Sequence, residues 1–142
     1  MSESLIAKRS VTVHADAAKV WDALTNPEMI RQYLYGTQAI SDWKEGSSIT
    51  YEGVWQGKSY KDKGVIKRIE PRKLLVTTYW SALSGLPDLP ENYSTVTYAL
   101  SERDGETTLT VTTDNIDTKE SVDHTEANWN SVLERLKELL ER

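Results

Sequence analysis

The sequence predicts an α+β domain in which a long amphipathic C-terminal helix lies across a curved antiparallel sheet of about seven strands. Three observations predict this fold. The first segment alternates apolar and polar residues, several further strand-like segments are separated by short turns, and the last segment has a continuous helical stripe. Since 142 residues are a common length for one domain, we expect a single domain over residues 1–142.

Composition and charge narrow the class of protein. The chain is 38% hydrophobic and 27% charged with a net charge of −5, as is typical of a soluble globular protein. A small basic group, Lys61, Lys63, Lys67 and Arg68, is best explained as a solvated strand face, so no nucleic-acid partner is expected. Because the chain has no cysteine, disulfides and thiolate metal sites are impossible.

Localisation and cofactor use are predicted from missing signals. Residues Met1–Arg9 lack the apolar core of a signal peptide, and no segment reaches the roughly 20 apolar residues of a membrane span. We therefore expect a cytoplasmic protein without membrane insertion. No phosphate-binding loop, zinc-protease helix or nucleophile elbow is present in the sequence, so neither a cofactor, a metal nor a catalytic residue is predicted.

The N-terminal third predicts one strand and two short helices. The strand is expected from Leu5 to His14, where apolar and polar residues alternate. Asp16 occupies an N-cap position before a helix over Ala17–Thr25. Asn26-Pro27-Glu28 repeats the start signal, because it combines a capping residue, a first-turn proline and an acid. The second helix is expected to run to about Leu34.

Six further strands should form an antiparallel meander, since the turns between them are short. They are predicted at Gln38 to Ser41, Ser48 to Trp55, Ser59 to Ile69, Leu74 to Ser81, Tyr93 to Ser101 and Thr107 to Thr113. Asp104-Gly105 is the strongest hairpin signal. The apolar, proline-containing loop Ala82–Asn92 is long enough to act as a rim or lid.

The terminal helix is predicted from Lys119 to the chain end, where glycine and proline are absent. One stripe collects its apolar residues, which are Val122, Trp129, Val132, Leu133, Leu136, Leu139 and Leu140. At about 1.5 Å per residue the helix is about 33 Å long, so it should cross nearly the whole domain.

Several segments resemble a known family. Val20–Glu28 resembles a VWxALTxPE segment, and Gly64–Leu74 resembles a strand turn with a glycine, an acid-proline pair and a leucine. A third match is Tyr93–Leu100 followed by Gly105–Leu109, and the helix with Asn128-Trp129 completes the similarity. Together they identify the chain as similar to the START-like (SRPBCC) superfamily, which has the helix-grip fold of the birch pollen allergen. Within it the chain most resembles bacterial homologues of the activator of the heat-shock-protein-90 ATPase. Tyr33-Leu34-Tyr35 departs from the tryptophan that this group often carries there.

The resemblance implies three functions. The first is binding of a small apolar or amphipathic ligand in a cavity between the terminal helix and the sheet. The second is a protein-interaction module with a chaperone partner. The third is a cyclase- or hydrolase-like enzyme, which would need a titratable group inside the cavity.

The aromatic composition supports a ligand cavity, because the chain has five tryptophans and seven tyrosines but no phenylalanine. Buried indole and phenol rings bring polar tips that suit the walls of a pocket, although ordinary core packing explains Trp129 equally well. The predicted ligand-binding residues are Tyr51, Trp80, Val96, Tyr98, Leu100, Leu109, Val111, His124, Asn128, Trp129 and Val132. The first half of the helix, Val122–Asn128, has few large apolar residues, so we expect the open end there.

Titratable residues give no clear catalytic pattern. His14 is interpreted as a surface or capping residue. His124 lies four residues before Asn128, so the two form either a polar pair reaching into the cavity or a solvated flank of the helix. The carboxylates, among them Glu52, Asp62, Glu70 and Asp114, show no acid–base pairing and are interpreted as solvated surface.

Overall fold

A computed structural model describes residues 5–34, 36–55, 57–81 and 85–141 of the chain. Within them the elements are β1 Leu5–Val13, α1 Ala17–Thr25, α2 Pro27–Tyr33, β2 Gln38–Ser41, β3 Ser48–Trp55, β4 Lys58–Glu70, β5 Leu74–Ser81, β6 Ser94–Arg103, β7 Glu106–Ile116 and α3 Lys119–Leu140. Every predicted element is confirmed, with ends displaced by a few residues at most. The part of the predicted loop at Ala82–Ser84 lies outside the described residues.

The seven strands form one antiparallel sheet in the order β1-β7-β6-β5-β4-β3-β2. The predicted meander is confirmed from β2 to β7, where each strand pairs with the next. β1 pairs with β7, which places the first and last strands side by side and leaves β1 and β2 as the two edges. We call the sheet face that packs against the helices the inner face, and the opposite one the outer face.

The short helices begin at the residues that the sequence indicates. The Asp16 side chain accepts a hydrogen bond from the Lys19 backbone N–H at 2.9 Å. The Asn26 side chain accepts one from the Glu28 backbone N–H at 3.0 Å, and Pro27 occupies the first turn. Both caps satisfy amide groups that a helix start leaves without an intrahelical partner. The caps therefore fix the residue at which each helix begins.

α3 is fastened along the edge strand β1 by two carboxylates. Glu126 accepts a hydrogen bond from the Lys8 backbone N–H at 3.0 Å, and Glu141 accepts one from the His14 backbone N–H at 2.8 Å. From Lys8 to His14 the chain rises about 20 Å, and from Glu126 to Glu141 the helix rises about 22 Å. The matched lengths show that the helix runs alongside the strand and covers amides that an edge strand leaves unpaired.

The core lies between the inner face and the three helices. In α3 the buried residues are Val132, Leu133, Leu136 and Leu140, all in its second half. They meet Val20 and Leu24 of α1 and the sheet side chains in one cluster. No helix in the described ranges is both long and apolar enough to cross a membrane.

Gly64 permits a close approach between β4 and β5. A Cβ built at this position would lie 1.7 Å from the Thr78 carbonyl oxygen, which is backbone and cannot rotate away. The strand register shifts shortly afterwards, between Ile66 and Arg68. Such a glycine and irregularity bend a strand and increase its twist. They help to curve the sheet around the helices.

We expect Gly64→Ala to lower the free energy of unfolding by at least about 2 kcal/mol, because the added methyl must displace a neighbouring strand. Gly53→Ala is the matched control, since its Cβ would meet only the Tyr60 side chain. Urea unfolding of the two variants measures the difference. Equal losses in both would contradict the close-approach explanation.

Candidate functional site

A small cavity lies between the inner face of the sheet, α3 and the α1–α2 pair. Its volume is about 30 Å³. That space holds about two water molecules at most. Side chains therefore fill most of the junction at which the sequence predicts a ligand cavity, and a larger molecule can enter only if some of them move.

The sheet contributes two phenol rings and one leucine to the cavity. Tyr51 lies on β3, Tyr98 on β6 and Leu109 on β7. These side chains reach the same space because their residues all face inward in the strand register. All three are among the predicted ligand-binding residues.

α3 contributes four residues at helical spacing, Trp129, Val132, Leu133 and Leu136. The Trp129 indole N–H donates to the Thr113 hydroxyl at 3.1 Å, and its ring meets Tyr98 edge to face with centroids 5.9 Å apart. The indole is therefore held in a defined orientation at the cavity. Trp129 and Val132 were predicted from the sequence.

The third wall comes from α1 and α2, which the sequence analysis did not assign to the site. It consists of Leu24, Ile30, Tyr33 and Leu34. Tyr33 is buried, and its hydroxyl donates to the Ala23 carbonyl at 2.8 Å. The spacing of Ile30, Tyr33 and Leu34 at positions i, i+3 and i+4 marks one helical face and could have identified this wall.

The phenols at the cavity stay protonated far above neutral pH. Burial raises the pKa of Tyr33, Tyr51 and Tyr98 well above its usual range. For Tyr33 and Tyr51 the neighbouring Tyr98 raises the pKa further. The three hydroxyl groups are therefore neutral hydrogen-bonding groups at the edge of an apolar space.

Asp62 lies beside these tyrosines, which corrects its assignment to the solvated surface. It is directly opposite Tyr51 in the β3–β4 register, so both side chains are on the inner face. Its Oδ2 accepts a hydrogen bond from the Tyr79 hydroxyl at 2.6 Å. Its Oδ1 is buried and has no hydrogen-bond partner among the described residues. Burial, followed by the Asp62 charge, raises the pKa of Tyr79.

Three further predicted residues share the core but do not line the cavity. Val96 and Val111 are buried under the helices, and Leu100 is half-buried against the same cluster. They support the sheet side of the junction.

Trp80 was predicted on the cavity wall but lies on the outer face, opposite Lys63 in the register. Its ring stacks on Tyr93 with centroids 6.3 Å apart, and its indole N–H donates to the Leu86 carbonyl at 3.3 Å. The Lys63 ammonium lies 5.6 Å from the ring centroid. Successive strand residues face opposite sides of a sheet. Because Tyr79 faces the inner side, its neighbour Trp80 faces the outer side.

His124 and Asn128 were predicted as possible ligand contacts, and both are exposed. They share one side of α3, as expected, but that side is the solvated flank rather than the buried stripe of Val132 and Leu136. The cavity lies against Trp129–Leu136, so the expected open end at Val122–Asn128 is also corrected. The polar residues there mark the solvent side of the helix.

Among the described residues, the other titratable groups form no recognisable catalytic or metal centre. In the part of the chain that the structure describes, the cavity walls contain no histidine or carboxylate. The same residues contain no group of three or more histidine, aspartate or glutamate side chains placed to hold a metal ion. His14 is exposed and lies 3.5 Å from Glu106, in agreement with its interpretation as a surface residue.

A curved seven-stranded antiparallel sheet with two short helices and a long C-terminal helix packed on its inner face is the helix-grip, START-like fold. The model of one family within this fold matches residues 14–141. The chain belongs to that family, described as Activator of Hsp90 ATPase homolog 1-like protein. No curated protein matches the chain.

Solved structures agree with this assignment. A Cytophaga hutchinsonii protein is 45% identical with a TM-score of 0.87, over 99% of this chain and 97% of its own. DynU16, from the dynemicin biosynthetic locus, is 25% identical with a TM-score of 0.78, over 96% of this chain and 47% of its own. The Aha1 dimer from Colwellia psychrerythraea is 18% identical with a TM-score of 0.76, over 96% of each chain, and shows the shared fold.

The buried tyrosines predict a loss of stability in alkali. Below about pH 10 both folded and unfolded chains keep the phenol proton, so the stability is unaffected. Above that pH the unfolded chain loses protons that the folded chain retains, and the free energy of unfolding falls by up to about 1.4 kcal/mol per pH unit for each tyrosine. Urea unfolding between about pH 9 and pH 11 measures this change. The free energy of unfolding should fall less steeply with pH in Tyr98→Phe than in the wild-type protein. If the free energy of unfolding depends on pH equally in Tyr98→Phe and the wild type, the prediction is wrong.

Proposed function

We propose that the protein binds a small apolar or amphipathic molecule in the cavity between α3, α2 and the sheet. The observation that carries the proposal is the composition of the walls, where aliphatic side chains and an indole face three neutral phenols. Such a lining desolvates an apolar body and offers a few hydrogen bonds for orientation. The likeness to DynU16, a protein of a biosynthetic locus, supports a small-molecule ligand.

Entry of a ligand requires side chains to move, because the cavity is only about 30 Å³. Tyr33 is held by its hydrogen bond to Ala23. Leu34, in contrast, is half-buried at the cavity and has an aliphatic side chain that forms no hydrogen bond. We expect the Leu34 side chain to move outward, with the phenols and the Trp129 indole remaining in place.

An environment-sensitive apolar dye should bind saturably at micromolar concentration and quench the fluorescence of Trp129. Val132→Ile should weaken this binding by about tenfold, because an extra methyl occupies the space that the dye needs. Fluorescence titration of both proteins measures the change. The added methyl can enter the cavity of about 30 Å³, and an extra methyl in a core costs about 1–3 kcal/mol at most sites, so the variant should stay folded.

Val54→Ile adds the same methyl at an outer-face residue that is 68% exposed, and serves as the control. It should bind the dye as the wild type does. No saturable signal in any of the three proteins would mean that the cavity is a filled core, and equal weakening in both variants would place the dye elsewhere.

A second candidate function is interaction with a chaperone of the Hsp90 type. The family description and the Colwellia relative named Aha1 suggest it. The supporting observation is that three apolar side chains are exposed on the outer face of β2–β4, where Ile40, Val54 and Val65 are 47%, 68% and 39% exposed. A partner that covered this face would remove these side chains from water.

Under this second candidate, Val54→Lys should weaken pulldown of the bacterial Hsp90 homologue at least fivefold, because a charge would have to be buried at the contact. Ser10→Lys adds the same charge to exposed β1 and should leave the pulldown unchanged. Pulldown that is absent for the wild type, or equal for both variants, contradicts the assignment.

A further inference from the structure

Asp62 presents an unusual arrangement next to the cavity. One carboxylate oxygen is held by the Tyr79 hydroxyl at 2.6 Å, while the other is buried and has no partner among the described residues. A buried acceptor without a donor costs free energy, so proteins rarely keep one without a reason. An incoming donor would remove that cost.

Asp62 is on the inner face, beside a residue that lines the cavity. Asp62 is paired across the strands with Tyr51, which places their Cβ atoms about 5 Å apart. Tyr51 itself lines the cavity. Movement of one phenol ring would therefore connect the apolar space with the carboxylate.

The nearby cations do not neutralise Asp62 from the inner face. Lys61, which precedes Asp62 in β4, faces outward opposite Glu52. Lys63 faces outward, where it pairs with Asp88. Within the described residues, no lysine or arginine forms an ion pair with Asp62. A cationic donor would supply both the missing charge and the missing hydrogen bond.

We propose that the ligand has an apolar body and a protonated amine, and that Asp62 Oδ1 accepts a hydrogen bond from this amine at the sheet end of the cavity. This inference rests on the proposed ligand-binding function and adds the chemical class of the ligand. Tyr79 is then a positioning residue, because its hydroxyl fixes the carboxylate and leaves Oδ1 available.

Two probes with the same ring system separate the apolar and the ionic contributions. Naphthylmethylamine should bind the wild-type protein at least about tenfold more tightly than methylnaphthalene, as one charge-assisted hydrogen bond would produce. In Asp62→Asn this preference should fall below about threefold, with methylnaphthalene binding unchanged. Calorimetric titration at neutral pH measures both affinities.

Glu52→Gln is the matched control, because it makes the same charge change on the outer face, where Glu52 pairs with Lys61 in the register. It should retain the full preference for the amine. If Glu52→Gln and Asp62→Asn lose the preference equally, the amine responds to net charge and the proposal is overturned.

The outcomes also separate this inference from the proposed function. Equal binding of both probes to the wild-type protein would keep the cavity and overturn the role of Asp62. Binding of neither probe would overturn both the proposed function and the role of Asp62.

Asp62→Asn should unfold at the same urea concentration as the wild type or higher, because a neutral amide replaces a carboxylate that has only one hydrogen-bond partner. If that variant is unfolded, Asp62→Ser is titrated instead, and retention of the amine preference there overturns the inference.

Discussion

The attachment of α3 to β1 is the interaction on which the rest of the structure depends. An edge strand exposes backbone amides, and here Glu126 and Glu141 accept hydrogen bonds from two positions along that edge. Two anchors about 20 Å apart fix both the direction and the rotation of the helix. The stripe of Leu133, Leu136 and Leu140 is thereby turned toward the sheet, and the polar flank toward solvent.

The position of α3 also decides where the cavity can form. The helix follows the edge strand β1, and its buried second half meets α1 and α2 over the inner face. The sheet, α3 and the α1–α2 pair meet at this place, and they leave a small gap around Tyr98 and Trp129. The cavity is a consequence of joining a straight helix, a bent sheet and a short helix pair.

The fold could be predicted because each of its signals is local. Asp16 and Asn26 cap helices within their own turns, and the α3 stripe needs only the helical period. The cavity walls depend on long-range register, which a single sequence does not contain. In β5, Leu74, Val76 and Trp80 are as apolar as the alternate residues, so the alternation could not show which set faces inward. The inward position of Asp62 likewise depends on its pairing with Tyr51.

The choice of tyrosine over phenylalanine has a structural consequence, because every buried phenol must find a hydrogen-bond partner. Tyr33 uses a backbone carbonyl, and burial keeps Tyr98 and its neighbours protonated. Tyr79, which is 36% exposed, uses the Asp62 carboxylate. A phenylalanine core would need no such partners and would pack as well in an apolar junction. Retaining these hydroxyls, together with a carboxylate oxygen that has no donor among the described residues, is costly for a purely structural core. That cost is better explained by recognition of a polar group on a ligand than by folding alone.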